Sequence, residues 1–179
     1  GYTKYGDPKG DPELIDAVIK AYKEDFSIDI SRENLFVTAS SCMGMGLTMM
    51  ALLDPGDEVI IPAPYWVSYP DMVRLAGGHP VIIETQASDD FAVSPDVVAA
   101  AVTPRTRAIV LNTPSNPTGA VYTLDELRAL ADVLNDNPHV LVLTDEIYDE
   151  VYLGEGRCRS LLEAAPELVD RVLLVNGVS

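Results

Sequence analysis

Apolar residues along this chain fall into two alternating rhythms. Uninterrupted apolar runs occupy residues 35–38, 58–61, 81–84, 108–111, 140–143 and 172–175, and turn chemistry such as Asp54-Pro55-Gly56-Asp57 separates them. Runs that do not alternate with polar residues predict strands buried on both faces of a parallel sheet. Between them the spacing becomes helical. Asp11-Pro12-Glu13 starts a helix with Pro in its first turn, and Leu14, Val18, Ala21 and Tyr22 follow on one side. The Met-rich stretch 42–53 is apolar nearly all round, which predicts a buried helix. Residues 65–76 predict a helix closed by Gly77-Gly78. Ser94-Pro95-Asp96 opens another, and Thr123-Leu124-Asp125-Glu126 is a capping box for a helix reaching about Asn135. Strands alternating with helices give the α/β class: a mostly parallel sheet with helices on both faces. The first 25 or so residues are expected to form an arm or helix that packs away from the sheet.

Composition narrows the function. A chain of 179 residues, 47% hydrophobic and 22% charged, reads as one globular domain. Its net charge of −16, with only 12 Lys and Arg, argues against nucleic acid or an anionic membrane as partner. Backbone N–H groups can still hold one small phosphate. No apolar run approaches the ~18 residues a membrane span needs. Cys42 and Cys158 match no metal spacing, and two reduced thiols suit a cytoplasmic protein.

In an open α/β sheet, ligands gather at the C-terminal ends of the strands. Polar and aromatic groups fall there in succession. Ser40, Ser41 and Cys42 follow the run at 35–38, Trp66 follows 58–61 after a Pro-rich loop, and Asn116 follows 108–111. Asp145 follows 140–143, and Ser179 follows 172–175. Each has a plainer reading: Asp145 as a cap, Asn116-Pro117 as a turn, Trp66 as a core anchor, Ser40-Ser41 as an N-cap.

The ordered set is more specific than its members. Tyr2-Thr3-Lys4-Tyr5, Gly10-Asp11-Pro12-Glu13-Leu14, Asp54-Pro55-Gly56-Asp57-Glu58-Val59 and Pro64-Tyr65-Trp66-Val67-Ser68-Tyr69-Pro70 come first. Asn116-Pro117-Thr118-Gly119, Asp145-Glu146-Ile147-Tyr148 and Asn176-Gly177-Val178-Ser179 follow. Together these phrases resemble the large domain of the class I/II aminotransferases, the pyridoxal-phosphate (PLP) enzymes of fold type I. The likeness is to their aspartate-aminotransferase-like subgroup. It implies that residues 1–179 are part of a PLP-binding large domain, with the family's small domain absent. Asp145 would meet the pyridine nitrogen, and Asn116 and Tyr148 the ring's phenolic oxygen. Trp66 would stack on the ring and, with Asn116, lie beside the substrate. Ser41, Cys42 and Ser179 would complete the cofactor set. Tyr5 would reach the phosphate of a neighbouring subunit, making the enzyme a homodimer. The implied substrates are an L-amino acid and a 2-oxo acid.

Two positions depart from the family pattern: Ser40 stands where Gly is usual, and Cys42 where Lys or a hydroxyl residue is common. The family's cofactor-linking lysine is expected immediately after Ser179, so the chain alone is expected to be inactive in transamination. A PLP lyase of the same fold shares these residues. Asp145-Glu146 could instead hold Mg²⁺ in a phosphoryl-transfer enzyme, although no G-x-x-x-x-G-K-[ST] loop is present. A non-catalytic dimerisation module is the remaining alternative.

Overall fold

A computed structural model of the chain describes residues 3–177. In it the apolar runs from 58 onward become five strands: β1 (Glu58–Ala63), β2 (His79–Glu84), β3 (Thr106–Asn112), β4 (Leu141–Asp145) and β5 (Val172–Val175). They form one sheet in the order β2-β1-β3-β4-β5, every neighbouring pair parallel. The helices are α1 (Pro12–Phe26), α2 (Ser41–Leu52), α3 (Tyr69–Leu75), α4 (Pro95–Ala101), α5 (Leu124–Asp136) and α6 (Leu161–Ala164).

The two-residue period of the strands divides the core into layers. Ile60, Ile109, Leu111, Val140 and Val142 face α4, α5 and α6 through Val98, Leu127, Leu130 and Leu161. Val59, Ile61, Ala108, Val110 and Leu143 face α2 and α3 through Met45, Met49, Tyr69 and Val73. Local signals set the helix ends. Asp11 caps α1 by accepting from the Glu13 and Leu14 N–H groups, and the capping box of Thr123 and Glu126 is fully formed on α5. Past α3, Gly77 takes φ +90° and donates to Arg74 O at 3.0 Å, closing the helix as Gly77-Gly78 foretold.

Four expectations are corrected. Residues 35–38 are extended but join no strand of this sheet: Val37 N–H bonds Lys9 O at 2.8 Å, and Phe36 is exposed. Ser40–Cys42 thus follow an extended connector and not a sheet strand. Helix α2 is not buried all round. Met45 and Met49 are covered, while Met43, Leu47 and Met50, spaced i, i+4, i+7, face outward. Helix α3 begins at Tyr69, because residues 65–68 form the turn around Trp66. Finally, α1 does not pack away from the sheet. Val18, Tyr22 and Phe26 group with Ile28 and Leu162 against Val172 and Leu174 of β5.

Candidate functional site

Asp145 is the last residue of β4, and strand alternation points it to the α2/α3 side together with Leu143. The carboxylate is 6% exposed. Its Oδ2 accepts from the Tyr69 hydroxyl at 2.7 Å and its Oδ1 from the Ile147 N–H at 3.3 Å. Burial raises its pKa above the ordinary carboxylate value, and these two donors oppose that rise. Tyr69 is itself buried. Desolvation first, then the Asp145 charge, push its phenol upward, so it stays a donor. The sequence reading missed Tyr69. Its only signal was the phrase around Trp66, since a tyrosine at a helix start has a plain packing explanation.

Trp66 is delivered by the turn before α3 and meets Tyr69 edge-on, centroids 5.4 Å apart. On the opposite flank, Asn112 ends β3. Its Nδ2 donates to Asp145 O at 2.9 Å, and its Oδ1 accepts from Asn116 N–H at 2.7 Å. Asn112 therefore locks the loop bearing Asn116 to the end of β4. Asn116 Nδ2 lies 3.4 Å from the Tyr148 hydroxyl, joining that loop to the turn after β4. Trp66, Tyr69, Asp145, Asn112, Asn116 and Tyr148 thus form one continuous contact chain over the sheet's C-terminal edge. The hollow beside it, lined in part by Tyr65, Tyr69, Thr85, Asn112 and Ser115, is only about 30 Å³. That admits one water.

The N-terminus of α2 reaches the same edge. Arg107 Nε, at the start of β3, donates to Leu52 O at the C-terminal end of α2 (3.3 Å), so the helix runs antiparallel to the strands. At 1.5 Å rise per residue its length is about 18 Å, comparable to a strand. Ser40 caps the helix by accepting from Met43 N–H at 3.1 Å. The amides of Ser41 and Cys42 in the first turn have no intrahelical acceptor, which suits an anion. Ser41 is half-buried and Cys42 exposed. Tyr5 is fully exposed and is not brought to the site within this chain. Ser179 lies outside the described residues.

Asp145 and Glu146 diverge. Glu146 turns to the opposite side of the sheet, where Oε1 accepts from Thr144 Oγ1 (3.0 Å), Ser160 Oγ (3.1 Å) and Leu161 N (3.4 Å). A shared metal ion between the two carboxylates is thereby ruled out, which removes the phosphoryl-transfer reading.

A family model described as aminotransferase class I and II matches residues 1–179. The aspartate/prephenate aminotransferase of Nitrosomonas europaea is 44% identical over the whole chain, which covers 45% of that relative. The crystal structure of the Rhizobium meliloti aspartate aminotransferase superposes with a TM-score of 0.97 at 41% identity, covering 100% of this chain and 45% of that one. The Thermus thermophilus aspartate aminotransferase with maleate gives 0.91 at 42% identity, covering 99% and 45%. The chain spans a little under half the length of the curated relatives it matches.

Proposed function

The chain belongs to the class I and II aminotransferase family, and from that premise we propose that it forms part of the PLP-binding large domain of an aminotransferase. The observation that carries this reading is the buried carboxylate of Asp145 at a strand tip. The protein occupies two of its roughly four acceptor sites, with Tyr69 and Ile147. Capacity remains for one further strong donor, which is what a protonated pyridine nitrogen is.

When bound, PLP supplies an electron sink for charge developing on the substrate carbon. The chain's residues create the conditions for it. Asp145 holds a proton at the ring nitrogen, and Tyr69 fixes the carboxylate's orientation. Asn116 and Tyr148 hydrogen-bond the phenolic oxygen. Trp66 covers one ring face, excludes water there and, with Asn116, borders the substrate. Ser41 and Cys42 hold the phosphate through their amides, with Ser179 completing the set. Tyr5, fully exposed in its own chain, serves the phosphate of a second subunit in a homodimer. The substrates are an L-amino acid and a 2-oxo acid. The names of the relatives favour aspartate as donor. Two unpaired thiols accord with a cytoplasmic setting, and among the described residues no helix is long and apolar enough to cross a membrane.

The test is a titration of the intact protein with PLP, followed by aspartate and 2-oxoglutarate. A cofactor absorbance band that aspartate shifts and the oxo acid restores supports the reading. Release of ammonia without that exchange assigns a lyase, and no band at all refutes the cofactor.

A further inference from the structure

Asn176 follows β5 directly and uses every polar atom of its side chain. Nδ2 donates to the Tyr22 hydroxyl of α1 at 2.9 Å and to Asp149 Oδ2 at 2.8 Å, while Oδ1 accepts from Gly177 N–H at 2.7 Å. Tyr22 is buried and stacks near Phe26, ring centroids 5.5 Å apart, so the hydroxyl is a fixed anchor. Asp149 belongs to the turn after β4, the turn that presents Tyr148. That turn is pinned at its start by Glu146 N–H to Val175 O (2.9 Å) and internally by Asp149 N–H to Glu146 O (3.0 Å). Gly177 lies so close that a Cβ there would stand 2.5 Å from Ile147 Cδ1. Tyr148 itself is 37% exposed, and among the described residues its hydroxyl meets only the 3.4 Å contact from Asn116. Its orientation therefore depends on the backbone beneath it.

We propose that Asn176 is a positioning residue for Tyr148: its amide clasps the turn after β4 to the end of β5, with Tyr22 of α1 as third member. Through this clasp the N-terminal helix and the candidate site form one mechanical unit. The proposal rests on the reading of Tyr148 as a cofactor contact, and the experiment separates the two.

In the intact protein, Asn176→Asp keeps the side chain's shape and the acceptor for Gly177 but loses both donor hydrogens and faces Asp149 with a second carboxylate. The double variant Asn176→Asp/Asp149→Asn exchanges amide and carboxylate and rebuilds the hydrogen bond in reverse. Amide hydrogen exchange over residues 147–151 reports the turn. PLP affinity and the pH midpoint of the cofactor's absorbance change report Tyr148, with Tyr148→Phe as reference. The expected result is faster exchange in the single variant and PLP binding weakened roughly tenfold, about the value of one charge-assisted hydrogen bond. Its pH midpoint should move in the direction seen for Tyr148→Phe, and the double variant should recover most of each change. Wild-type exchange and midpoint in Asn176→Asp, beside altered values in Tyr148→Phe, overturn the proposal. If the wild-type protein binds no PLP, the cofactor reading of Tyr148 falls, and the exchange comparison alone decides whether Asn176 orders the turn.

Discussion

At the scale of single residues, two adjacent carboxylates meet opposite fates because a strand sends neighbours to opposite faces. Asp145 goes to Tyr69 and the candidate site; Glu146 goes into the far core. Burial pushes Glu146 from 4.5 up to about 7, against the opposing donors Thr144, Ser160 and Leu161. The folded protein then binds a proton that the unfolded chain has released. This group's stabilising contribution is full below about pH 4.5 and lost as pH rises through about 7. Glu146→Gln keeps the acceptor oxygen and removes the titration. Its stability relative to wild type should therefore rise by on the order of 3 kcal/mol between pH 4.5 and pH 8, read from urea unfolding at each pH. Parallel pH profiles contradict the assignment. Tyr69→Phe tests the other carboxylate: an unpaired buried oxygen on Asp145 should cost about 1–3 kcal/mol in urea unfolding. An unchanged urea midpoint would show that the hydroxyl contributes nothing. Asp145, Asn116 and Trp66 were legible as candidates because polar or aromatic residues after apolar runs have few roles. Tyr69 and Asn112 were not, since their importance lies in long-range bonds that sequence spacing does not encode.

At the scale of elements, the predicted helix starts hold at Asp11 and Thr123, whereas Ser94 sits at the N-cap of α4 without a side-chain capping bond. Thr123 and Glu126 form their reciprocal bonds, and Thr123→Ala should lower stability by about 1 kcal/mol, measured by thermal or urea unfolding. No loss would mean that α5 is held by packing alone. Five of the apolar runs became strands: the inner three, β1, β3 and β4, are mostly buried, as continuous apolarity requires, whereas the edge strand β2 leaves Ile82 exposed and β5 is half-buried throughout. The run at 35–38 has the same composition, yet its backbone bonds Lys9 and not a neighbouring strand. Composition reports burial preference, whereas pairing depends on partners far away in sequence. The same limit explains α2. An all-apolar helix predicts full burial, but within residues 3–177 only Met45 and Met49 of this helix are buried.

At the scale of the whole molecule, fold class and family were legible because the ordered phrases span the chain from end to end and the strand–helix alternation of the parallel sheet runs from Glu58 to Val175. The 28 acidic against 12 basic residues leave a charge of −16, which repels itself in the compact state. Raising salt from about 10 mM to about 150 mM shortens the screening length from about 30 Å to about 8 Å and should raise the melting temperature by a few degrees. A flat or falling melting temperature would show that favourable ion pairs, such as Arg105–Glu58, outweigh the net repulsion. The proposed cofactor chemistry turns on one contact: a carboxylate holding a proton on the ring nitrogen. The most direct measurement is the nitrogen-15 chemical shift of ring-labelled PLP bound to the intact protein and to its Asp145→Asn variant. A protonated pyridine nitrogen in wild type that becomes unprotonated in the variant is the predicted result. The same shift in both proteins contradicts it.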